Sequence, residues 1–290
     1  VNELVVVSGK GGTGKTVVTA SFAALAGRAV LADLDVDASN LHLLLHPEVQ
    51  ERGPFAAGQK ARIDAALCRA CGRCSEVCRF EAVVLDAQNK ARVDSLACEG
   101  CALCFRVCEA KAVEMVPNEA GEWAVSKTKY GPMVHARLGV AQENSGKLVT
   151  EVRKRAREIV VREGRELLLM DGPPGIGCPV IASLSGVDLA LVVTEPTPSG
   201  AQDMERAVDL ARHFRIRAAC AINKYDLNQE NSRGIESWCV EQGIPLAGRI
   251  PFDAAVVDSV IAGVPAIEYG RGPAAESLKR LWTGVRSLLT

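Results

Sequence analysis

Short apolar runs alternate with amphipathic stretches along this chain, and the alternation is interrupted once. Leu4-Val5-Val6-Val7 reads as a buried strand, and residues 17–26, rich in alanine and apolar side chains, read as a helix. Residues 28–35 predict a second strand that ends in acids. Residues 148–163 have helical periodicity with a basic outer face, and 166–171 is an apolar run closed by Asp171. Strands are then expected at 188–195, 217–224 and 244–251, and helices at 200–214, 232–242 and 274–289. This rhythm predicts an α/β fold, a mostly parallel sheet with helices on both faces. Between 123 and 146 shorter alternating segments, including Pro132 to Val140, predict antiparallel strands or a hairpin leading back to that core.

The loop after the first strand carries chemistry. Gly9-x-x-x-x-Gly14-Lys15-Thr16 follows a strand and opens a helix, the setting of a phosphate-binding loop. An isolated glycine-rich stretch is often only a turn; the full match in this setting favours the nucleotide site. Gly9, Gly11, Gly12 and Gly14 let the backbone, Thr13 included, curl around phosphate oxygens that β-carbons would keep away. The helix after the loop points its positive end at the same anion. Lys15 is placed to reach the β- and γ-phosphates and the Thr16 hydroxyl to ligate Mg²⁺, so ATP or ADP with Mg²⁺ is expected. Asp171, ending its apolar strand, has the Walker B pattern and is expected to hold Mg²⁺ through water; Gly172-Pro173-Pro174-Gly175 suits a mobile switch. A strand ending in Asp is common, so this assignment leans on the loop at Gly9 to Thr16.

The interruption is a cysteine array. Composition changes near Pro54, and eight of the 11 cysteines lie between Cys68 and Cys108. Clustered cysteines point to metal before disulfides in a reducing compartment. Cys68-x-x-Cys71-x-x-Cys74-x-x-x-Cys78 recurs as Cys98-x-x-Cys101-x-x-Cys104-x-x-x-Cys108, and Ala82-Val83 recurs as Ala112-Val113. This is an internal repeat with the bacterial ferredoxin spacing, in which the fourth cysteine of each run ligates the other cluster. One 4Fe-4S cluster would take Cys68, Cys71, Cys74 and Cys108, the other Cys98, Cys101, Cys104 and Cys78. Zinc would use the Cys-x-x-Cys pairs but leave Cys74, Cys78, Cys104 and Cys108 poorly explained. Ferredoxin runs place proline after the fourth cysteine; Arg79 and Glu109 stand there instead, a change that bears on potential more than on ligation.

Lys10 refines the loop. With a second lysine at this position, the sequence resembles the deviant Walker A ATPases, the family of MinD, ParA, Mrp-type carriers and nitrogenase iron protein, here with a two-cluster ferredoxin domain inserted. The resemblance covers essentially the whole chain. It implies residues 1–57 and 118–290 as one discontinuous ATPase domain and 58–117 as the inserted bacterial-type ferredoxin (α+β) module. It implies hydrolysis of ATP to ADP and phosphate, weak or partner-stimulated, in an ATP-dependent homodimer or a heterodimer with a related ATPase, with Lys10 reaching the partner's nucleotide. It matches Asp33 to an acid that organises the metal's water shell and Asp35 to the one that orients the attacking water. Acids at a strand end also cap helices. Asn223 resembles the residue that reads the adenine edge, and Pro251 to Asp253 the loop flanking the base. Val17 stands where many relatives carry a hydroxyl that touches the α-phosphate.

Other features weigh less. Cys178 sits about where nitrogenase iron protein carries a cluster ligand, but no second cysteine matches, and a small residue at a dimer interface is the favoured reading. Cys220 reads as a buried strand thiol, Cys239 lies in a helix, and His135 reads as a surface or packing residue. The last helix has the basic amphipathic pattern of a MinD membrane helix, but Glu276 balances its basic residues and a helix closing the core is favoured. A net charge of -1 gives no global attraction to nucleic acid or anionic membrane, and neither is expected as a partner. No secretory pattern opens the chain and no apolar run approaches the ~18 residues of a membrane span, so a cytoplasmic location is expected. The expected output is electron transfer through the clusters to a redox partner of unspecified identity. The alternatives are an iron-sulfur cluster carrier, or a positioning ATPase of the division or partition type with a redox-sensing module.

Overall fold

The computed structural model describes residues 1–139, 145–270 and 272–290; Val140 and the stretch 141–144 of the expected hairpin region lie outside the described residues. Along the chain the elements are β1 (Asn2–Ser8), α1 (Lys15–Ala26), β2 (Ala29–Asp33), α2 (His42–Leu45), β3 (Glu48–Ile63), α3 (Arg73–Glu76), β4 (Val83–Leu85), β5 (Ala91–Val93), α4 (Leu103–Val107), β6 (Val113–Thr128) and β7 (Gly131–Leu138). Next come α5 (Ser145–Glu163), β8 (Leu167–Pro174), α6 (Cys178–Leu184), β9 (Leu189–Thr194), α7 (Pro198–His213), β10 (Arg217–Asn223), α8 (Gln229–Glu241), β11 (Leu246–Ile250), α9 (Ala254–Ile261), α10 (Ala266–Tyr269) and α11 (Pro273–Leu289). The chain forms two compact units. The first comprises Val1–Gly53, Trp123–Arg137 and Ser145–Thr290, and the second comprises Pro54–Glu122 and the segment beginning at Leu138.

The larger sheet has the strand order β11-β10-β9-β1-β8-β2-β7-β6-β3. β1 runs parallel to β8 and β9, β2 to β7 and β8, and β10 to β9 and β11. The central strands β2 and β9 are buried along their whole length, as strands covered on both faces must be. One layer of the core joins Leu4, Leu31, Leu169 and Leu191 of the sheet to Phe22 of α1 and Trp282 of α11, whose rings lie 4.8 Å apart. Leu278, Leu281, Trp282 and Val285 of α11 are all buried, so the apolar face of this last helix closes the core. No described helix is long and apolar enough to cross a membrane. Parallel strands bring Ser8, Asp33, Thr194, Asn223 and Ile250 to the carboxyl edge of the sheet, where open α/β sheets bind ligands.

Three local outcomes differ from the expectations drawn from sequence. β8 runs through Asp171 to Pro174, and α1 begins at Lys15. His42 opens the short helix α2, an element with no counterpart among those expectations, which buries Leu44 and Leu45. β3 and β6 are 16 residues each and carry the chain out of the first unit and back, so the second unit is wider at both ends than 58–117.

The second unit repeats itself in backbone as well as in sequence. Left-handed φ recurs thirty positions apart at Ala70 and Gly100, Gly72 and Ala102, and Glu81 and Lys111. The Asp64 N–H donates to Ala112 O at 2.8 Å, while the Asp94 N–H donates to Ala82 O at 2.7 Å, so the ends of each copy pair with the other. The Lys60 and Lys90 ammonium groups make the same exchange, to Ser95 O and Ala65 O. β4 and β5 form an antiparallel pair with Val83 opposite Val93.

Candidate functional site

The glycine loop is built around close approaches. Gly9 faces α7 so tightly that a β-carbon would stand 2.2 Å from the backbone oxygen of Asp203. Gly12 and Gly14 have φ of +81° and +92°, and a β-carbon on Gly14 would stand 2.4 Å from Asn223 Nδ2. No atom lies within 4 Å of where β-carbons on Gly11 and Gly12 would be, so the loop is open on that side. The Thr13 hydroxyl is buried without a hydrogen-bond partner. A buried hydroxyl so placed fits a bound anion, since buried polar groups are rarely left unsatisfied.

Lys15, Thr16 and three acids meet at the base of the loop. Lys15 Nζ pairs with Asp35 Oδ2 at 2.8 Å, with both side chains 9% exposed. Thr16 Oγ1 donates to Asp171 Oδ2 at 2.7 Å, and Thr19 Oγ1, on the same face of α1, donates to Asp171 Oδ1 at 2.9 Å. Asp33 accepts from Ser39 Oγ at 2.6 Å and from the backbone N–H groups of Asp35 and Leu41 at 3.1 and 3.3 Å. Burial, then the neighbouring Asp171 charge, pushes the Asp33 carboxyl up to about 7. Asp171 is raised too, by burial, against the pull of Lys15. Burial works to lower the Lys15 ammonium, but Asp171, Asp35 and Asp33 together raise it. One lysine thus serves a crowded acidic site, which suits a divalent cation beside a phosphate.

Lys10 folds back onto its own chain. Its Nζ lies 2.7 Å from Glu195 Oε1, 3.2 Å from Thr197 Oγ1 and 3.1 Å from Ser199 Oγ. Glu195 also faces Lys224 at 3.4 Å. Burial works to raise the Glu195 carboxyl, but the hydrogen bond and charge of Lys10, with Lys224, hold it below its ordinary value. Asn223 Nδ2 donates to Thr13 O at 2.8 Å, so here the side chain braces the loop. Pro251 follows β11, and its neighbour Phe252 donates its N–H to Asp226 Oδ1 at 2.7 Å. Asp253 caps α9 through the Ala255 N–H at 3.0 Å. His135 bonds Ser126 at 2.8 Å, and Cys178 is exposed at the start of α6. Cys220 and Cys239 are buried.

In the second unit Cys78, Cys98, Cys101 and Cys104 line one small pocket whose walls include Phe80, Val83, Val93, Glu99 and Leu103. Burial raises the Cys74 thiol, with Cys68 and Cys71 near enough to add to the shift. Burial likewise raises Cys104, with Cys98, Cys101 and Cys74 adding to it. The Ala112 N–H donates to Cys108 Sγ at 3.3 Å. Cys74, Cys98, Cys104 and Cys108 pack in one small core with Ala61 and Val113. Among the described residues no group of three or more His, Cys, Asp or Glu is set to close around a single ion. Four thiols along one pocket are the donor type that a polynuclear cluster takes.

A family model, the CobQ/CobB/MinD/ParA nucleotide binding domain, matches residues 4–266. The chain belongs to this family. An uncharacterized protein of Methanocaldococcus jannaschii is 30% identical over 290 residues, 99% of this chain and 97% of that protein. An iron-sulfur cluster carrier protein of Pyrococcus furiosus is 25% identical over 150 residues, 47% of this chain, which spans about 50% of that relative. The cell division ATPase MinD of Pyrococcus furiosus shares the fold, with a TM-score of 0.59 at 19% identity over 99% of each chain. In this CobQ/CobB/MinD/ParA domain the residues missed from sequence are Glu195, Thr19 and Ser39. Glu195 follows a strand at the carboxyl edge, and Thr19 lies one turn beyond Thr16; both positions were signals in plain view.

Proposed function

We propose that the chain is a MinD/ParA-type ATPase that binds MgATP at Ser8 to Thr16, hydrolyses it in a dimer, and couples this to electron transfer through two 4Fe-4S clusters held by the inserted unit. Gly9, Gly11, Gly12, Thr13 and Gly14 cradle the phosphates, and Lys15 leaves Asp35 to neutralise them. Thr16 holds Mg²⁺, with Asp33 and Asp171 acting through its water shell. Asp35, once released, orients the attacking water, and Lys10 leaves Glu195 for the partner subunit's nucleotide. Asn223 and the Pro251 loop flank the base. Cys68, Cys71, Cys74 and Cys108 hold one cluster, and Cys98, Cys101, Cys104 and Cys78 the other; the clusters supply one-electron storage.

The observation that carries this reading is the pocket lined by Cys78, Cys98, Cys101 and Cys104, the set that the ferredoxin rule groups together although Cys78 belongs to the other run. Anaerobic purification with iron and sulfide analysis, then spectra with and without MgATP, tests it. Clusters whose spectra or potentials respond to MgATP support the coupling; unchanged spectra and potentials at saturating nucleotide contradict it.

The similarity to a protein named as an iron-sulfur cluster carrier favours a second reading, in which clusters are delivered to an apo-acceptor. Eight ferredoxin-spaced ligands leave no open coordination site for transfer, which places it second. Iron labelled in the chain and mixed with an apo-ferredoxin decides between them: movement of label supports a carrier, and full retention the electron-transfer protein.

A further inference from the structure

The internal repeat makes the two cysteine sites a matched pair, so their differences can be read position by position, provided that each site holds a cluster as proposed above. The backbone around the thiols cancels: left-handed conformation recurs at Ala70 and Gly100 and at Gly72 and Ala102. The Ser75 N–H bonds Cys74 as the Phe105 N–H bonds Cys104.

Three positions in the wall of the pocket of Cys78, Cys98, Cys101 and Cys104 differ in chemistry between the copies: Phe80, Leu103 and Glu99. Thirty positions away, beside Cys68, Cys71, Cys74 and Cys108, the corresponding residues are Ala110, Arg73 and Arg69. The Arg73 guanidinium stands close enough to Cys71 to feel its charge, and it pairs with Glu109. Glu109 and Arg79 act in the opposite sense and are exposed, as Arg73 is, so water and salt screen all three.

Reduction adds negative charge to a cluster. Apolar side chains and the Glu99 carboxylate give that charge no favourable partner, whereas a guanidinium stabilises it. We infer that the cluster held by Cys78, Cys98, Cys101 and Cys104 has the lower reduction potential, set by Phe80 and Leu103, and that the cluster held by Cys68, Cys71, Cys74 and Cys108 has the higher, set by Arg73. Each takes one electron from an external one-electron donor, with no bond made or broken. The first electron rests beside Arg73, and only a stronger reductant fills the site beside Phe80 and Leu103.

The test is a dithionite potentiometric titration of the anaerobic protein, followed by EPR, after iron and sulfide have been counted. Two separate steps are expected. Phe80→Ala, which copies the repeat partner Ala110, moves the lower step upward and leaves the upper step in place. Arg73→Leu, which copies Leu103, moves the upper step downward and leaves the lower. Phe80 is 38% exposed and Arg73 is exposed, so neither change opens a core. Cys71→Ser alters the signal of the upper step and Cys101→Ser that of the lower. Full iron with a single unresolved step, or with Cys71→Ser altering the lower step, overturns this inference alone. A chain that takes up no iron overturns the two-cluster reading and this inference with it.

Discussion

Lys15 Nζ and Asp35 Oδ2 lie 2.8 Å apart in a site nearly closed to water, so the phosphate-loop lysine is already engaged by the acid assigned to water activation. In the proposed function nucleotide separates this pair and frees both groups at once. Asp35→Asn is therefore expected to bind MgATP as tightly as the parent or up to about 10-fold tighter, since it leaves Lys15 unclaimed. Phosphate release should fall by about 10²-fold or more, the usual loss when a group that positions a proton acceptor is removed. Calorimetry and a phosphate-release assay check the two halves. Lys15→Ala should lose nucleotide binding and about 3–5 kcal/mol of stability, because the buried acids lose their counter-charge.

Lys10 makes an intramolecular pair with Glu195 that a dimer would have to exchange. Lys10→Ala should keep nucleotide binding in the monomer and lose ATP-dependent association. Glu195→Gln should weaken the hold on Lys10 and shift association to lower protein concentration. Sedimentation with a non-hydrolysable ATP analogue reads both.

Asp33 gives the nucleotide-free chain a pH signature. Its carboxyl is raised by burial and by Asp171 to about 7, so the folded state binds this proton more tightly than the unfolded state. The resulting stability is present in full below the ordinary carboxylate value, near 4, and is lost as pH rises to about 7. Asp33→Asn should flatten that slope and raise stability at pH 8 by on the order of 1 kcal/mol, about 2–4 °C in Tm. Thermal melts between pH 5 and 8 check it.

Gly9 tests the loop's packing without touching its charges. A β-carbon there would overlap the Asp203 backbone oxygen, and a backbone atom in the middle of α7 yields little. Gly9→Ala should cost about 1–3 kcal/mol and reduce nucleotide affinity together, whereas Gly11→Ala, in open space, should cost little stability.

The parts legible in the sequence were those whose chemistry is contiguous. Gly9 to Thr16 announces itself because one loop supplies every group, and the strand–helix rhythm announces the parallel sheet because each element carries its own periodicity. The partners of those groups were not legible, because the chain brings them from far away: Glu195 reaches Lys10 across 185 residues, and Asn223 reaches Thr13 across 210. β3 escaped for a different reason. Glu48 to Gly53 are largely exposed, so no buried face imposes the alternation by which a strand is recognised. α2 is a single turn, too short for a helical period, and only Leu44 and Leu45 hint at it. In the cysteine array, the proposed grouping of ligands rests on spacing. The contrast between Leu103 and Arg73 acquired meaning only when the repeat appeared in the backbone.

Iron and sulfide analysis of anaerobically purified protein, followed by EPR-monitored reduction with and without MgATP, tests the central claim most directly. The expected result is about eight iron and eight sulfide per chain, with cluster signals that shift when MgATP binds. Zinc in place of iron, or two clusters whose signals and potentials ignore saturating MgATP, would contradict it.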